Sequence, residues 1–361
     1  MIILGLDIGG ANTKAAIIEF NEHEIKRSFS HIEYFPFWEK SLKDVPKMLN
    51  RIVLKIRENH SIPLEDMDYI AVAITAELSD AFQTKREGIF KILNALVQVF
   101  NQEKLRFIST SNKFLKHSQI QNNYSLICAA NWVSTALFLG HFLPECILID
   151  AGSTTIDLIP ILNSLPVPKG KTDIERLIYH ELIYSGGLRA SIPSITHFVP
   201  YKGNNLRISF EKFALVSDVH RILNNITEKE YNIDTADNRS TSIENSYARL
   251  SRMICMDLET ISKEDIDEIA QYIYEKQLEI IYSEIQAFMK NTTKRFPLLK
   301  KNPKFVITGL SAEFLVRKSL EKLGFTNISL YKEITHIPDD ITSSAFAVAG
   351  ALHILSSFKA K

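Results

Sequence analysis

Residues 4–16 read LGLDIGGANTKAA: an apolar run, an acid, two adjacent glycines, an asparagine, a threonine and a lysine, then a second apolar run. The pattern predicts a buried strand over IILGLDI, a tight turn at Gly9-Gly10 and a second strand through KAAIIEF. The chain has 361 residues and only 13 glycines, so a glycine pair beside an acid narrows what the turn is for. Without side chains in the way, backbone N–H groups converge on one spot, and such clusters of donors bind anions, phosphate above all. On this reading Gly9, Gly10, Asn12 and Thr13 line a phosphate site and Lys14 moderates its charge. A single turn of this kind is equally an ordinary hairpin.

Residues 145–162, ECILIDAGSTTIDLIPIL, change that balance. Again an apolar strand ends in an acid, a glycine follows two residues later, hydroxyls come next, and an apolar strand resumes. Asp7-x-Gly9 recurs as Asp150-x-Gly152, a spacing too long for a solenoid and right for two similar lobes. Gly152, Ser153, Thr154 and Thr155 become the second half of a diphosphate site. Asp7, Asp150 and Asp157 would repel a phosphate unless a cation lay between them. Magnesium, held through its waters by carboxylates while it bridges phosphate oxygens, resolves the conflict. A third strand-glycine-helix junction, KFVITGLSAEFL, occupies residues 304–315.

Composition excludes several classes. Lysine plus arginine equals aspartate plus glutamate at 42 each, which favours neither nucleic acid nor a membrane surface as partner. No stretch approaches the ~18 uninterrupted apolar residues of a membrane span, and MIILGLDI is too short for a signal peptide. The expectation is a cytoplasmic protein acting on small molecules, of undetermined oligomeric state. Cys128, Cys146 and Cys255 are widely spaced in apolar sequence and read as buried thiols. The ten histidines show no metal-ligand spacing. Helical periodicity marks residues 42–60, 88–103 and 343–355, and residues 172–295 read as largely helical around a polar loop at 224–245.

The two turns resemble the phosphate motifs of the actin, sugar kinase and Hsp70 superfamily. Asp7-x-Gly9-x4-Lys14 is similar to its first phosphate loop and Asp150-x-Gly152-x-Thr154-x2-Asp157 to its second. The resemblance implies an α/β, two-lobed actin-like ATPase fold, a duplicated ribonuclease H-like unit with a ligand cleft between lobes. The lobes are expected at 1–145 and 146–361, the second carrying a mainly helical insertion around 170–295. A narrower likeness rests on six stretches in order: DIGGANTKAA, ITAELSDAFQTKREGI, AANWVSTA, DAGSTTIDLIPI, YSGGLRAS and ADNRST. Together they resemble the hydantoinase A/oxoprolinase-related branch found in methanogens and C1-metabolising bacteria.

Within that branch the resemblance implies a transferase of methanofuran biosynthesis. It would move an (aminomethyl)furanylmethyl group from its diphosphate to the phenol of γ-glutamyltyramine, forming an aryl ether. ATP-using members usually carry Gly-Gly in the adenosine motif, whereas this chain reads Thr308-Gly309-Leu310-Ser311. The leucine side chain tilts the expectation towards diphosphate without adenosine, so ATP is not an expected cofactor. Such a reaction needs a base for the phenol proton. Glu77 and Asp80 sit at the end of the expected strand YIAVAITAEL, and Lys85 follows on the same loop. These three are the catalytic candidates, and the bland alternative is a helix start capped by Ser79 or Asp80. Asn131, Arg189 and Arg239 are the substrate-binding candidates; Gly186-Gly187 reads as a helix cap or a close-approach loop. An ATP-dependent kinase or hydantoinase-type amidohydrolase is the second reading, and a nucleotide-switch protein of actin or Hsp70 type the third.

Overall fold

The computed structural model describes residues 1–21, 24–300 and 303–357. The opening run forms β1 (Ile2–Ile8), and the chain turns back into β2 (Asn12–Asn21), antiparallel, with Asp7 opposite Lys14. β3 (Glu24–Tyr34) extends the meander along β2. β4 (Tyr69–Ile74) then lies parallel to β1, β5 (Leu105–Ser109) parallel to β4, and β6 (Lys113–Lys116) pairs antiparallel with β5. The sheet order is β3-β2-β1-β4-β5-β6. β1 and β4 are continuous apolar runs, and nearly every residue in them is buried, as expected of central strands covered on both faces.

A second sheet contains β7 (Cys146–Ala151) and β8 (Ile156–Leu162), with β9 (Leu165–Pro166) paired to β8. It is completed by β10 (Leu182–Ile183), β13 (Phe305–Thr308) and β14 (Ile328–Leu330), in the order β10-β8-β7-β13-β14. Between them β11 (Phe198–Tyr201) and β12 (Asn204–Arg207) form a separate hairpin, which the reading of 172–295 as largely helical missed. Its turn places Lys202 and Gly203 at positive φ, the backbone that two-residue hairpin loops require. With β6 and β9 set aside, both sheets, ranked by chain position, run third-second-first-fourth-fifth. This shared order is the duplicated ribonuclease H-like arrangement of the actin-like ATPase fold, and it extends the repeat seen in the two turns to whole sheets.

Contacts group Met1–Ile147, Ile159–Glu175 and the segment from Ser329 into one compact unit. Leu148–Leu158 and Arg176–Ile328 form a second. In the first, α1 (Val45–His60) buries Val45, Met48, Leu49, Ile52 and Ile56, the spacing of one helical face. α2 (Lys85–Leu96) starts later than residue 79: Thr84 is its cap, accepting from the Glu87 N–H at 3.1 Å, so neither Ser79 nor Asp80 caps it. α3 (Asn131–Phe142) is buried on almost all sides. The second unit holds α4 (Asp173–Ile178) from Arg176 onward, α5 (Val216–Ile222), α6 (Ile243–Arg252) and α7 (Lys263–Arg295). Its helical core joins Val199, Val219, Leu250, Ile266 and Ile273. Of the three thiols, Cys146 is buried and Cys128 half-buried. Cys255, against the sequence expectation, is exposed on a turn after α6, where its φ is +60°.

The last helix, α8 (Ser343–Ser357), packs against β1, β2 and α3 in the first unit. Gly5 permits that approach: a Cβ there would lie 2.1 Å from the Ala345 carbonyl oxygen. Because backbone cannot yield as a side-chain tip can, Gly5→Ala should destabilise the protein by about 2 kcal/mol or more. An unchanged thermal melting temperature would contradict this packing.

Candidate active site

The two glycine turns share one hydrogen-bond plan. In the first, the Gly9 N–H donates to the Asn12 carbonyl at 3.1 Å; in the second, Gly152 N–H donates to the Thr155 carbonyl at 2.9 Å. Most of the other turn carbonyls are tied back by donors outside the turn. Gly10 and Ala11 accept from the amides of Phe37 and Phe35 at 2.9 and 2.8 Å. Gly152 accepts from Gly187, Thr154 from Gly186, and Ser153 from both Leu188 and Arg189, at 3.0–3.1 Å. With the carbonyls committed, the amides of Gly10, Ala11, Ser153, Thr154 and Thr155 have no acceptor among the described residues. Unpaired amides on successive turn residues are the donor cluster an anion needs.

The Gly186-Gly187 pair is a close-approach strap. A Cβ on Gly186 would sit 2.6 Å from the Thr154 nitrogen, and one on Gly187 2.9 Å from the Ser311 Cβ. Gln277, wholly buried on α7, donates to the Gly186 carbonyl at 3.1 Å and to Ser185 Oγ at 3.2 Å, which fixes the strap from behind. Ser311 Oγ donates to the Ala151 and Gly152 carbonyls at 3.1 and 3.0 Å. Gly309, at φ +92°, lies so close that a Cβ would meet the Ala151 carbonyl oxygen at 2.3 Å and Asp150 Oδ1 at 3.0 Å. Leu310, beside it, packs with Leu188, Ile226, Tyr231 and Phe314 in a small apolar cluster.

Acids behave differently in the two turns. Asp7 is buried: its Oδ2 accepts from Ser344 Oγ on α8, and its Oδ1 has no partner. Burial raises its pKa above the ordinary carboxylate value, while Lys14 and Ser344 pull it back. The Asn12 Oδ1 and Thr13 Oγ1 atoms are also buried without a partner. Asp157 occupies the place in its turn that Lys14 holds in the first, and its Oδ1 accepts from the buried guanidinium of Arg176 at 2.6 Å. Among the described residues no group of three His, Cys, Asp or Glu side chains is placed to hold a metal ion directly. A magnesium ion that keeps most of its waters and uses one or two carboxylates needs no such cage, and the orphaned Asp7 oxygen suits it.

β4 ends at Ile74, and the tight turns of residues 75–82 follow it beside the first glycine turn. A Cβ on Gly9 would lie 3.6 Å from Thr75 Oγ1, and one on Gly10 would lie 3.9 Å from Ser79 Cβ. Glu77 is 1% exposed, and neither carboxylate oxygen has a hydrogen bond of good geometry. Desolvation pushes its pKa up to about 7; the amides of Glu77 and Ala129 and the charge on Lys85 pull down, and Asp173 pushes up. Lys85, the first residue of α2, pairs with Asp173 at 3.0 Å. The half-buried Cys128 thiol, raised to about 12 chiefly by desolvation and then by Glu77, shares this cluster as a neutral group. Gly88 admits the backbone here: a Cβ on it would meet the Glu77 Cα at 2.8 Å. Asp80 is exposed.

The softer candidates are scattered. Asn131 begins α3, its carbonyl accepting from Ser134 and Thr135, and Trp132 beside it is buried in the core. Arg189 is exposed next to the second turn, to which its amide is bonded. Arg239 lies on an exposed loop, 3.8 Å from Asp237. Sequence reasoning missed Asp173, Ser344, Ser311 and Gln277. They reach their partners from 88 to 337 residues away along the chain, and no local spacing marks them.

A raised carboxylate pKa makes stability fall with rising pH. The unfolded Glu77 loses its proton near the ordinary value of 4.5 and the folded one near 7, so between these values the folded state binds more protons. Ionisation of Glu77 should therefore cost about 3 kcal/mol of stability across that window. Glu77→Gln should flatten the fall in unfolding free energy between these pH values; an unaltered slope would contradict the buried, unpaired carboxylate.

The sequence matches the hydantoinase/oxoprolinase family over residues 68–351. It is 35% identical, over 98% of each chain, to the (4-{4-[2-(gamma-L-glutamylamino)ethyl]phenoxymethyl}furan-2-yl)methanamine synthase of Methanocaldococcus jannaschii. A synthase of the same name from Methanococcus vannielii is 34% identical over 57% of this chain and 89% of its own. Among solved structures, the nucleotide-free acetone carboxylase shares the fold, with a TM-score of 0.57 at 11% identity over 96% of this chain and 70% of that one. Family match and full-length identity agree: the chain belongs to the hydantoinase/oxoprolinase family.

Proposed function

We propose that this chain is an ether-forming transferase that makes the compound its relatives are named for, joining an (aminomethyl)furanylmethyl group from its diphosphate to the phenol of γ-glutamyltyramine. The observation that carries the reading is the 35% identity over 98% of both chains to a synthase whose named product contains that phenoxymethylfuran ether. The unpaired amides of the two glycine turns support it, since they suit a leaving group made of two phosphates.

The electron-rich furan stabilises positive charge on the adjacent carbon, so the carbon–oxygen bond to diphosphate breaks with its electron pair leaving on diphosphate. Amides of Gly10, Ala11, Ser153, Thr154 and Thr155, with the hydroxyls of Thr13, Ser153, Thr154 and Thr155 and the Lys14 ammonium, stabilise the departing charge. Asp7 and Asp150 would hold a hydrated magnesium ion, which supplies further neutralisation of the diphosphate; Asp157, paired with Arg176, contributes less. The phenol oxygen bonds to the furanylmethyl carbon, and its proton passes to Glu77. A carboxylate with pKa about 7 is matched to that task at neutral pH. Asn131, Arg189 and Arg239 are assigned to the acceptor substrate, and Asp80, exposed on the turns that carry Glu77, is the second carboxylate assigned to catalysis. Leu310, standing where ATP-using members usually carry a second glycine, favours a site for diphosphate without adenosine.

The test is a product assay with the furanylmethyl diphosphate and γ-glutamyltyramine, with and without magnesium and ATP. Ether and free diphosphate should form with magnesium and without ATP. Lys14→Ala and Asp150→Ala should each lower turnover by about 100-fold or more with the fold intact. ATP hydrolysis stimulated by a small metabolite, with no ether formed, would overturn the reading in favour of an ATP-dependent kinase or amidohydrolase.

A further inference from the structure

Glu77 has a lysine among its charged neighbours, yet the two do not pair. The lysine is turned to Asp173, 3.0 Å away, and both Glu77 oxygens stay without a hydrogen bond of good geometry. A buried carboxylate next to an available ammonium ordinarily captures it, because the pair is then charge-assisted in low dielectric. We propose that Asp173 is a positioning residue: by holding Lys85 it keeps the ammonium off Glu77, so that Glu77 remains an open proton acceptor for the substrate hydroxyl. The proposal rests on the transferase reading for the identity of that hydroxyl, but the side-chain arrangement it describes belongs to the resting protein.

Three titratable groups surround Glu77 from the elements around it. Lys85 comes from α2, Asp173 from the start of α4, and Cys128 from the segment before α3. Asp80, on the turns that carry Glu77, is exposed. Cys128 is neutral at working pH, so the balance at Glu77 is set by one cation and the anion that holds it. Asp173 reaches this place from the chain beyond β9, in the stretch Ile159–Glu175 that packs with the first unit. The acid is half-buried and the lysine partly exposed, so the pair can be altered without opening the core.

Removing Asp173 releases Lys85 to Glu77 and favours the carboxylate; removing Lys85 leaves Glu77 beside an anion and favours the acid. The two variants therefore move the same group in opposite directions, which no loss of packing would do. The direct readout is the pH titration of the Glu77 side-chain carbon by NMR in full-length protein labelled with 13C-glutamate, the signal assigned with Glu77→Gln. In Asp173→Asn the midpoint should fall by about one pH unit, in Lys85→Gln it should rise, and Asp173→Glu should return it to the wild-type position. In the ether assay the acid limb of the kcat/KM profile should follow the same shifts. A midpoint unmoved in both Asp173→Asn and Lys85→Gln overturns the proposal whatever the assay shows. Absence of ether from the wild-type protein, with the midpoints moving as stated, refutes the transferase reading and leaves the positioning role standing.

Discussion

Five carbonyl oxygens of the two glycine turns, those of Gly10, Ala11, Gly152, Ser153 and Thr154, are taken by donors from outside the turns, and the candidate site depends on that one constraint. A peptide unit that points its oxygen one way points its N–H the other, so tying back Gly10 and Ala11 in the first turn, and Gly152, Ser153 and Thr154 in the second, turns the amides that follow them outward. The first turn is tied by the chain after β3, through Phe35 and Phe37; the second by the Gly186–Arg189 strap. The strap is held in turn by Gln277, and Ser311 adds a side-chain donor to the same carbonyls. Several glycines follow from this arrangement. Gly186, Gly187 and Gly309 lie where backbone meets backbone or side chain at distances that leave no room for a Cβ.

The same plan appears twice with opposite charge at one position. Lys14 stands across from Asp7 in the first turn, and the corresponding place in the second is Asp157. The first turn thus contains its own counter-ion, whereas the second requires Arg176, wholly buried and bonded also to the Glu181 carbonyl. Burying a guanidinium is costly unless a carboxylate and further acceptors satisfy it, and here both are present. Beside the first turn, Glu77 is left in the reverse condition, buried and unpaired, which is unfavourable for stability and useful for taking a proton.

Much of the fold was legible because it is written in local pattern. The apolar runs IILGLDI and YIAVAITAEL, the glycine after each acid and the repeat between Asp7 and Asp150 identified the strands, the turns and the duplicated architecture. The reading faltered where local pattern is weak or ambiguous. The β11-β12 hairpin contains a proline and a polar strand, and its turn signal is the short Lys202-Gly203 pair. The cap of α2 lies at Thr84, whose hydroxyl accepts from the Glu87 amide while the Glu87 carboxylate accepts from the Gln83 amide, a cue masked by the competing Ser79-Asp80. Within the candidate site, Glu77 and Lys85 were singled out because they follow a strand. Asp173 and Ser344 were not, because only tertiary packing brings them there.

The central proposal is that the turn amides bind a diphosphate. Its most direct test is the backbone 15N–1H spectrum of the full-length protein titrated with inorganic diphosphate in the presence of magnesium, with ADP as the comparison. The amides of Gly10, Ala11, Ser153, Thr154 and Thr155 should shift together with one saturation curve, and ADP should bind no more tightly than diphosphate. Shifts confined to one turn, or absent from both, would contradict the account, as would ADP saturating the same amides at a concentration at least about tenfold lower, a gain of about 1.4 kcal/mol from the adenosine.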